Sequence, residues 1–163
     1  MSGKNLDMKQ CISDLDAGQW GTLAVFDRPF PYQMPVNYAF VTTSSGSQGQ
    51  DPVDACKLYF HTRPGGTLDQ LASEGTTASF CLVSKAQPIR EEPACDYRQV
   101  GVLGFIHPVN DPMEKAIALQ LLTMKYGLVD EAQLPGAACR HPDSTSVFAL
   151  EISELSGREH AAG

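Results

Sequence analysis

The stretch Leu58-Tyr59-Phe60-His61-Thr62-Arg63-Pro64-Gly65-Gly66-Thr67-Leu68 carries the strongest local signals in the chain. Leu58 to His61 read as the end of a strand, Pro64-Gly65-Gly66 break it, and Thr67 with Gln70 three residues later reads as a helix cap. A strand therefore passes into a short helix through a glycine turn. Free backbone N–H groups and the positive end of the helix dipole gather at such a turn, which suits a phosphate. Arg63 adds a fork of donors, Thr67 a hydroxyl, and Gly65 and Gly66 allow close backbone approach. The Lys and the glycine spacing of a Walker loop are missing. An ordinary strand-to-helix connection with a surface arginine explains the same residues, and this stretch alone does not choose between the two.

Working outward, strand-like segments flank this element at Gly21 to Phe26, Gln33 to Thr42, Lys57 to His61, Thr77 to Ser84, Tyr97 to Ile106 and Ser146 to Ile152. Each carries β-branched or aromatic residues between turn signals. Asp27-Arg28-Pro29-Phe30-Pro31 is short enough to join two antiparallel strands. Two further helices show their caps. Asp7 with Gln10 opens one whose stripe is Met8, Cys11, Ile12 and Leu15, ending at Gly18. Asp111, Pro112 and Glu114 open the other, with Met113, Ile117, Leu121 and Met124 as its apolar stripe before Gly127. The second helix, opened by Thr67, turns Leu68, Leu71 and Ala72 inward and closes at Gly75. Loops are expected over 43–55, 87–95 and 129–145. Six short strands with three brief helices do not alternate as βαβ units. The expected fold is mainly β, a six-stranded antiparallel barrel with helices plugging its ends; a doubly wound parallel sheet fits poorly.

The bulk properties bound the function. A chain of 163 residues makes about one domain, and 42% hydrophobic with 19% charged residues is an ordinary globular balance. A net charge of −7 disfavours nucleic-acid phosphates and anionic membranes as partners, while leaving a small anionic cofactor open. No apolar run is long enough to cross a bilayer and the start is polar, so a cytoplasmic location is expected. Five widely spaced cysteines with no Cys-x-x-Cys pair point to reduced thiols. Cys139 and His141 make half a metal site without two further ligands nearby, so no metal is expected.

Two more features bear on chemistry. His61 ends its strand, where a histidine serves as a hydrogen-bonded structural group or, less commonly, as a proton carrier. In Pro31-Tyr32-Gln33-Met34-Pro35-Val36-Asn37-Tyr38-Ala39-Phe40, Pro35 cannot donate to a ladder, so this strand is irregular or at an edge. Unpaired backbone groups there can face a heteroaromatic ring; a simple edge strand is the plainer reading.

The ordered set of residues 31–40, Leu-Tyr-Phe-His at 58–61, Asp-Tyr-Arg-Gln-Val at 96–100 and Asp-Pro-Met-Glu-Lys-Ala at 111–116 resembles the pyridoxamine 5′-phosphate oxidase-like FMN-binding split-barrel superfamily, in its nitroimidazole-resistance branch. The resemblance runs from about Leu6 to Gly157. It implies a homodimer with FMN at the subunit interface. Met34, Pro35, Val36 and Asn37 would lie along the isoalloxazine, with His61 and Thr62 beside it. Arg63 and Thr67 would hold the phosphate, and Tyr97 and Arg98 would lie near the site, from across the interface. Family members often carry a lysine before the helix that Thr67 opens; this chain lacks it, leaving Arg63 as the substitute. The basic residues with which true pyridoxamine phosphate oxidases hold their substrate are not recognisable. The implied activity is an FMN-dependent reduction of a small acceptor, nitroaromatic compounds among them. The alternatives are a flavin-binding electron carrier without turnover, or a haem- or deazaflavin-binding relative.

Overall fold

Two of the three helices begin at the residue the sequence offers as a cap. In the computed structural model, which describes residues 3–42, 56–90, 94–127 and 145–160, the chain runs β1 (Lys4–Asn5), α1 (Met8–Ala17), β2 (Trp20–Val25), β3 (Tyr32–Asn37), β4 (Ala39–Thr42), β5 (Cys56–Thr62), α2 (Thr67–Ala72), β6 (Thr76–Pro88), β7 (Cys95–Pro108), α3 (Pro112–Lys125) and β8 (Ser146–His160). The Asp7 carboxylate accepts the Gln10 N–H at 2.8 Å while the Gln10 side chain accepts the Asp7 N–H at 3.0 Å, a reciprocal capping box. Asp111 accepts the Glu114 N–H at 2.7 Å, with Pro112 as the first helical residue. Helix α2 departs from expectation. Gly66 is its cap and Thr67 its first residue, because the reach-back contact comes from Asp69 instead. The loop expected over 43–55, most of that over 129–145, and Cys139 with His141 lie outside the described residues.

All the strand pairings are antiparallel, in the order β3-β2-β6-β7-β8-β5-β4, with β1 added to the far end of β8. The strands at the two ends of this path, β3 and β4, are consecutive in sequence, and only Tyr38 separates Asn37 from Ala39. A ribbon whose outermost strands are joined by one residue has to curl until its edges nearly meet. That is a split barrel. The described residues hold eight strands where six segments were expected, because Gln33–Thr42 divides at Tyr38 and β1 is too short to show in the sequence. The loop expected at 87–95 is also narrower, since β6 and β7 stay paired as far as Pro88 and Cys95. Lys85 and Asp96 hold that extension with a 2.8 Å ion pair.

The barrel interior is filled by Leu23, Leu58, Phe60, Phe80, Val102 and their neighbours, and is plugged by Cys11 and Leu15 of α1 and by Leu68 and Ala72 of α2. Helix α3 packs outside, setting Ala118 and Leu122 on Ala39, Tyr59, Val147 and Ala149. Of its expected stripe only Leu121 packs at this contact; Met113 is 73% exposed, Ile117 50% and Met124 43%. Small residues lie under the helix because it sits directly on the strands. Met113, Ile117 and Met124 are left on its open face.

Where β7 and β8 bend, the register shifts between Leu103 and Gly104. A Cβ at Gly104 would lie 2.0 Å from the backbone oxygen of Glu151, whereas one at Gly101 would meet the movable Ser156 hydroxyl at 3.3 Å. Gly104→Ala should therefore cost more than about 2 kcal/mol in urea unfolding, and Gly101→Ala less than about 1 kcal/mol. Equal losses would show that the bend does not depend on the close strand approach at Gly104.

Candidate functional site

Strand β5 carries its apolar residues Leu58 and Phe60 into the barrel and His61 outward. Beyond Thr62, which pairs with Ser146 of β8, the chain turns through Gly65 at φ +77°, a conformation suited to glycine, and enters α2. The Asp69 carboxylate accepts the Gly65 N–H and, at 3.0 Å, the Ser146 hydroxyl. It thereby ties the turn to the start of β8. Gly66 supplies no side chain to cap α2, so the N–H groups of its first turn have no capping side chain. Beside them Arg63 is exposed, and among the described residues its guanidinium makes no ion pair or hydrogen bond. Thr67 is exposed as well.

His61 is solvent-accessible on one side, yet the protein around it removes enough water to lower the imidazole pKa below its ordinary value of 6.5. The ring is therefore mostly neutral at pH 7.

Across the barrel seam, β3 lies against β5. Met34 and Val36 turn inward onto the barrel core, while Pro35 and Asn37 are exposed on the outer face. The proline falls on an edge strand, as its missing N–H requires: among the described residues β3 pairs only with β2, and Pro35 lies opposite Thr22. The free edge of β3 therefore offers backbone groups, Pro35 and Asn37. The side chains of Met34 and Val36 serve the core instead. The structure thus sets β3 against β5, the strand that ends at His61 and Thr62 and runs on through Arg63 to Thr67.

Tyr97 and Arg98 lie elsewhere in the chain. Tyr97 pairs with His160 and Thr62 with Ser146, at opposite ends of the 15-residue β8. That separation is about 46 Å of strand. Arg98 is engaged there, with its Nε 2.6 Å from Asp14 and an Nη 3.6 Å from Glu159, and the Tyr97 ring stacks on His160. Within one chain these two residues do not reach His61. Asp69 and Ser146 belong to the turn and were missed by sequence reasoning. An acidic residue in a helix's first turn was the available signal for Asp69; Ser146 had none.

These groups fit a phosphate carried on a flat ring. Among the described residues, a guanidinium without a partner, an exposed hydroxyl and N–H groups with no side-chain cap follow directly on β5, with the Asp69 charge already used by Gly65 and Ser146. Among the described residues no cluster of His, Cys, Asp and Glu could hold a metal ion, and no helix is long and apolar enough to cross a membrane. A separate apolar groove of about 470 Å³, lined by Ala24, Phe26, Pro31, Ala78, Leu103 and others, lies on the outer face of β2, β6 and β7 and contains none of the residues above.

Known proteins give the same frame. The fold resembles a protein of Bacteroides thetaiotaomicron described as a 5-nitroimidazole antibiotic resistance protein, at 14% identity and TM-score 0.70, covering 97% of this chain and 89% of that one. It also resembles the FAD and haem binding protein of Mycobacterium smegmatis (18% identity, TM-score 0.72, 96% and 72% covered). A FAD-binding protein of Mesorhizobium loti matches at 20% identity and TM-score 0.67, over 99% of this chain and all of its own. No curated protein sequence matches. The family model described as pyridoxamine 5′-phosphate oxidase matches residues 7–159, nearly the whole of the sequence that builds the split barrel, and the chain belongs to that family.

Proposed function

We propose that the protein binds FMN on the flank formed by β3, β5 and the turn into α2, and uses it to reduce a small acceptor. The observation that carries this reading is the Arg63 guanidinium, exposed and without a partner among the described residues, just before the first turn of α2, which no side chain caps. Arg63, Thr67 and the first-turn N–H groups would hold the phosphate; Pro35, Asn37 and the free edge of β3 would hold the ring. Bound flavin supplies the electron chemistry. The protein's own part is to orient the ring, to exclude water from one face of it through the edge strand, and to hold an imidazole at His61. Small nitroaromatic compounds are the acceptors to test first, since a structural neighbour is described as a nitroimidazole resistance protein. FAD is the rival cofactor, because two neighbours are described as binding it.

A homodimer belongs to the same proposal. The β7 residues Leu103 and Phe105 are 50% and 45% exposed, and α3 adds Met113, Ile117 and Met124. Exposed apolar side chains in such number mark a surface that another molecule covers. A second copy would also explain how Tyr97 and Arg98, remote from His61 in their own chain, reach a site. Light scattering at micromolar concentration should give twice the 17.6 kDa chain mass. Leu103→Glu should move the population toward single chains. A species of one chain mass in the wild type contradicts the dimer.

The phosphate assignment has a clean test. A charge-assisted hydrogen bond contributes about 1.5–3 kcal/mol, so Arg63→Ala should weaken FMN binding roughly ten- to a hundredfold. Riboflavin has no phosphate and should bind wild type and variant alike. Equal losses for both ligands would remove Arg63 from the phosphate site. A Soret band in the purified protein would replace flavin by haem, and tighter binding of FAD than of FMN would change the flavin.

His61 yields a pH dependence. Its folded pKa is lowered, so the folded state disfavours the charged ring; stability from this group is present above about 6.5 and is lost as pH falls through the folded value. If the imidazolium donates the proton, turnover per bound flavin should rise as pH falls, with a midpoint below 6.5. His61→Gln should then flatten the profile and lower turnover by roughly 10²–10⁴, leaving FMN affinity nearly unchanged. Unaltered turnover per flavin in that variant would assign the histidine a structural role.

A further inference from the structure

The ladder between β2 and β3 ends at the pair Trp20 and Asn37. One step further, Gln19 and Tyr38 would face each other, yet Ala39 is already paired with Tyr59 on the other side of the barrel. At Tyr38 the chain leaves one partner strand and joins another, which would strand the Tyr38 N–H and the Gln19 carbonyl at the seam. Tyr126, at the C-terminal cap of α3, fills the gap. Its hydroxyl oxygen accepts the Tyr38 N–H at 2.9 Å, and its hydroxyl hydrogen is donated to the Gln19 carbonyl. The Tyr38 carbonyl also lies 3.0 Å from this oxygen. A side-chain hydroxyl thus stands in for one rung of the sheet.

The seam is held from its other side too. The Tyr38 hydroxyl donates to the Leu15 carbonyl at 2.7 Å, its ring meets Phe80 edge-on at 4.8 Å, and Lys125 Nζ lies 4.1 Å from the ring centroid. Tyr38 is fully buried, whereas the next residue back, Asn37, is exposed on the edge proposed to face the flavin. Among the described residues, strand β3 has no ladder partner other than β2. Without the substituted rung, the ladder would fray from Asn37 toward Pro35.

We propose that Tyr126 is a positioning residue for flavin: from outside the binding flank, it fixes the edge of β3 through the Tyr38 N–H and the Gln19 carbonyl. This rests on the flavin reading given above. Tyr126→Phe keeps the ring and removes only the bridging hydroxyl. It should weaken FMN and riboflavin alike by about tenfold, since the ring end and not the phosphate end is disturbed, and should change the visible circular dichroism of the bound flavin. Ile152→Val, which trims the barrel interior on β8, serves as a control for stability in general and should lower Tm without either effect.

Wild-type protein that binds no flavin overturns both the flavin reading and this inference. Wild-type protein that binds flavin while Tyr126→Phe binds it equally well, with the same spectrum, overturns this inference alone. So does an equal loss of affinity in Ile152→Val. If Tyr126→Phe does not fold, the Tyr38 amide resonance of the wild type decides. A shift on saturation with FMN supports the coupling, and an unmoved resonance contradicts it.

Discussion

One phenol hydroxyl, on Tyr126, stands where the sheet changes partners, and the barrel is organised around that point. The strands at the two ends of the sheet are joined by Tyr38 alone. Its buried backbone groups cannot continue either ladder, and leaving them bare would cost about 1–3 kcal/mol each. The Tyr126 hydroxyl meets the N–H, and the Tyr38 side chain is anchored on α1. Helices α1 and α3 therefore fasten the seam from opposite sides, one from the barrel's plugged end and the other from its outer face. Burial has a predictable electrostatic effect here: it raises the pKa of both tyrosines, which remain protonated donors through the neutral range.

The candidate site inherits its form from this closure. Because β3 ends the strand order of the described residues, one of its edges has no partner among them, and because the ribbon curls, β3 comes round to β5, which runs into the glycine turn. An edge strand exposes backbone donors and acceptors, which a soluble fold normally has to blunt. Here Pro35 removes one N–H from the edge. The turn beside it is kept in place by Asp69, whose carboxylate spans from Gly65 to Ser146. That leaves Arg63 as a cation with no partner among the described residues, next to N–H groups that no side chain caps. The proposed binding of a phosphate-bearing ring rests on these exposed groups.

How much of this was legible in the sequence depended on whether the signal was local. Caps at Asp7 and Asp111, the turn from Asp27 to Pro31 and the edge character of Pro35 were readable because each is decided within a few residues. The break at Tyr38 was not: nothing in Asn37-Tyr38-Ala39 marks the residue at which a strand exchanges partners, and the group that makes the exchange tolerable lies 88 positions away. The stripe on α3 was visible as spacing, but spacing does not say which face meets the strands. Ala118 allowed close approach, and with Leu122 it formed the contact. Of the candidate residues, those from His61 to Thr67 are contiguous, so the sequence groups them by itself. Asp69 and Ser146 were missed because their roles arise from tertiary contacts. Tyr97 and Arg98, named through a family resemblance, lie at the other end of β8 from the cluster they were grouped with.

The central claim is that flavin binds where the free edge of β3 meets the turn into α2. Hydrogen–deuterium exchange of the intact protein, read by peptide with and without saturating FMN, addresses that claim most directly. Slowed exchange concentrated in the peptides spanning residues 32–38 and 61–68 is the expected result. Protection confined to the peptides that line the groove of Ala24, Phe26 and Leu103, with residues 32–38 and 61–68 unchanged, would contradict it.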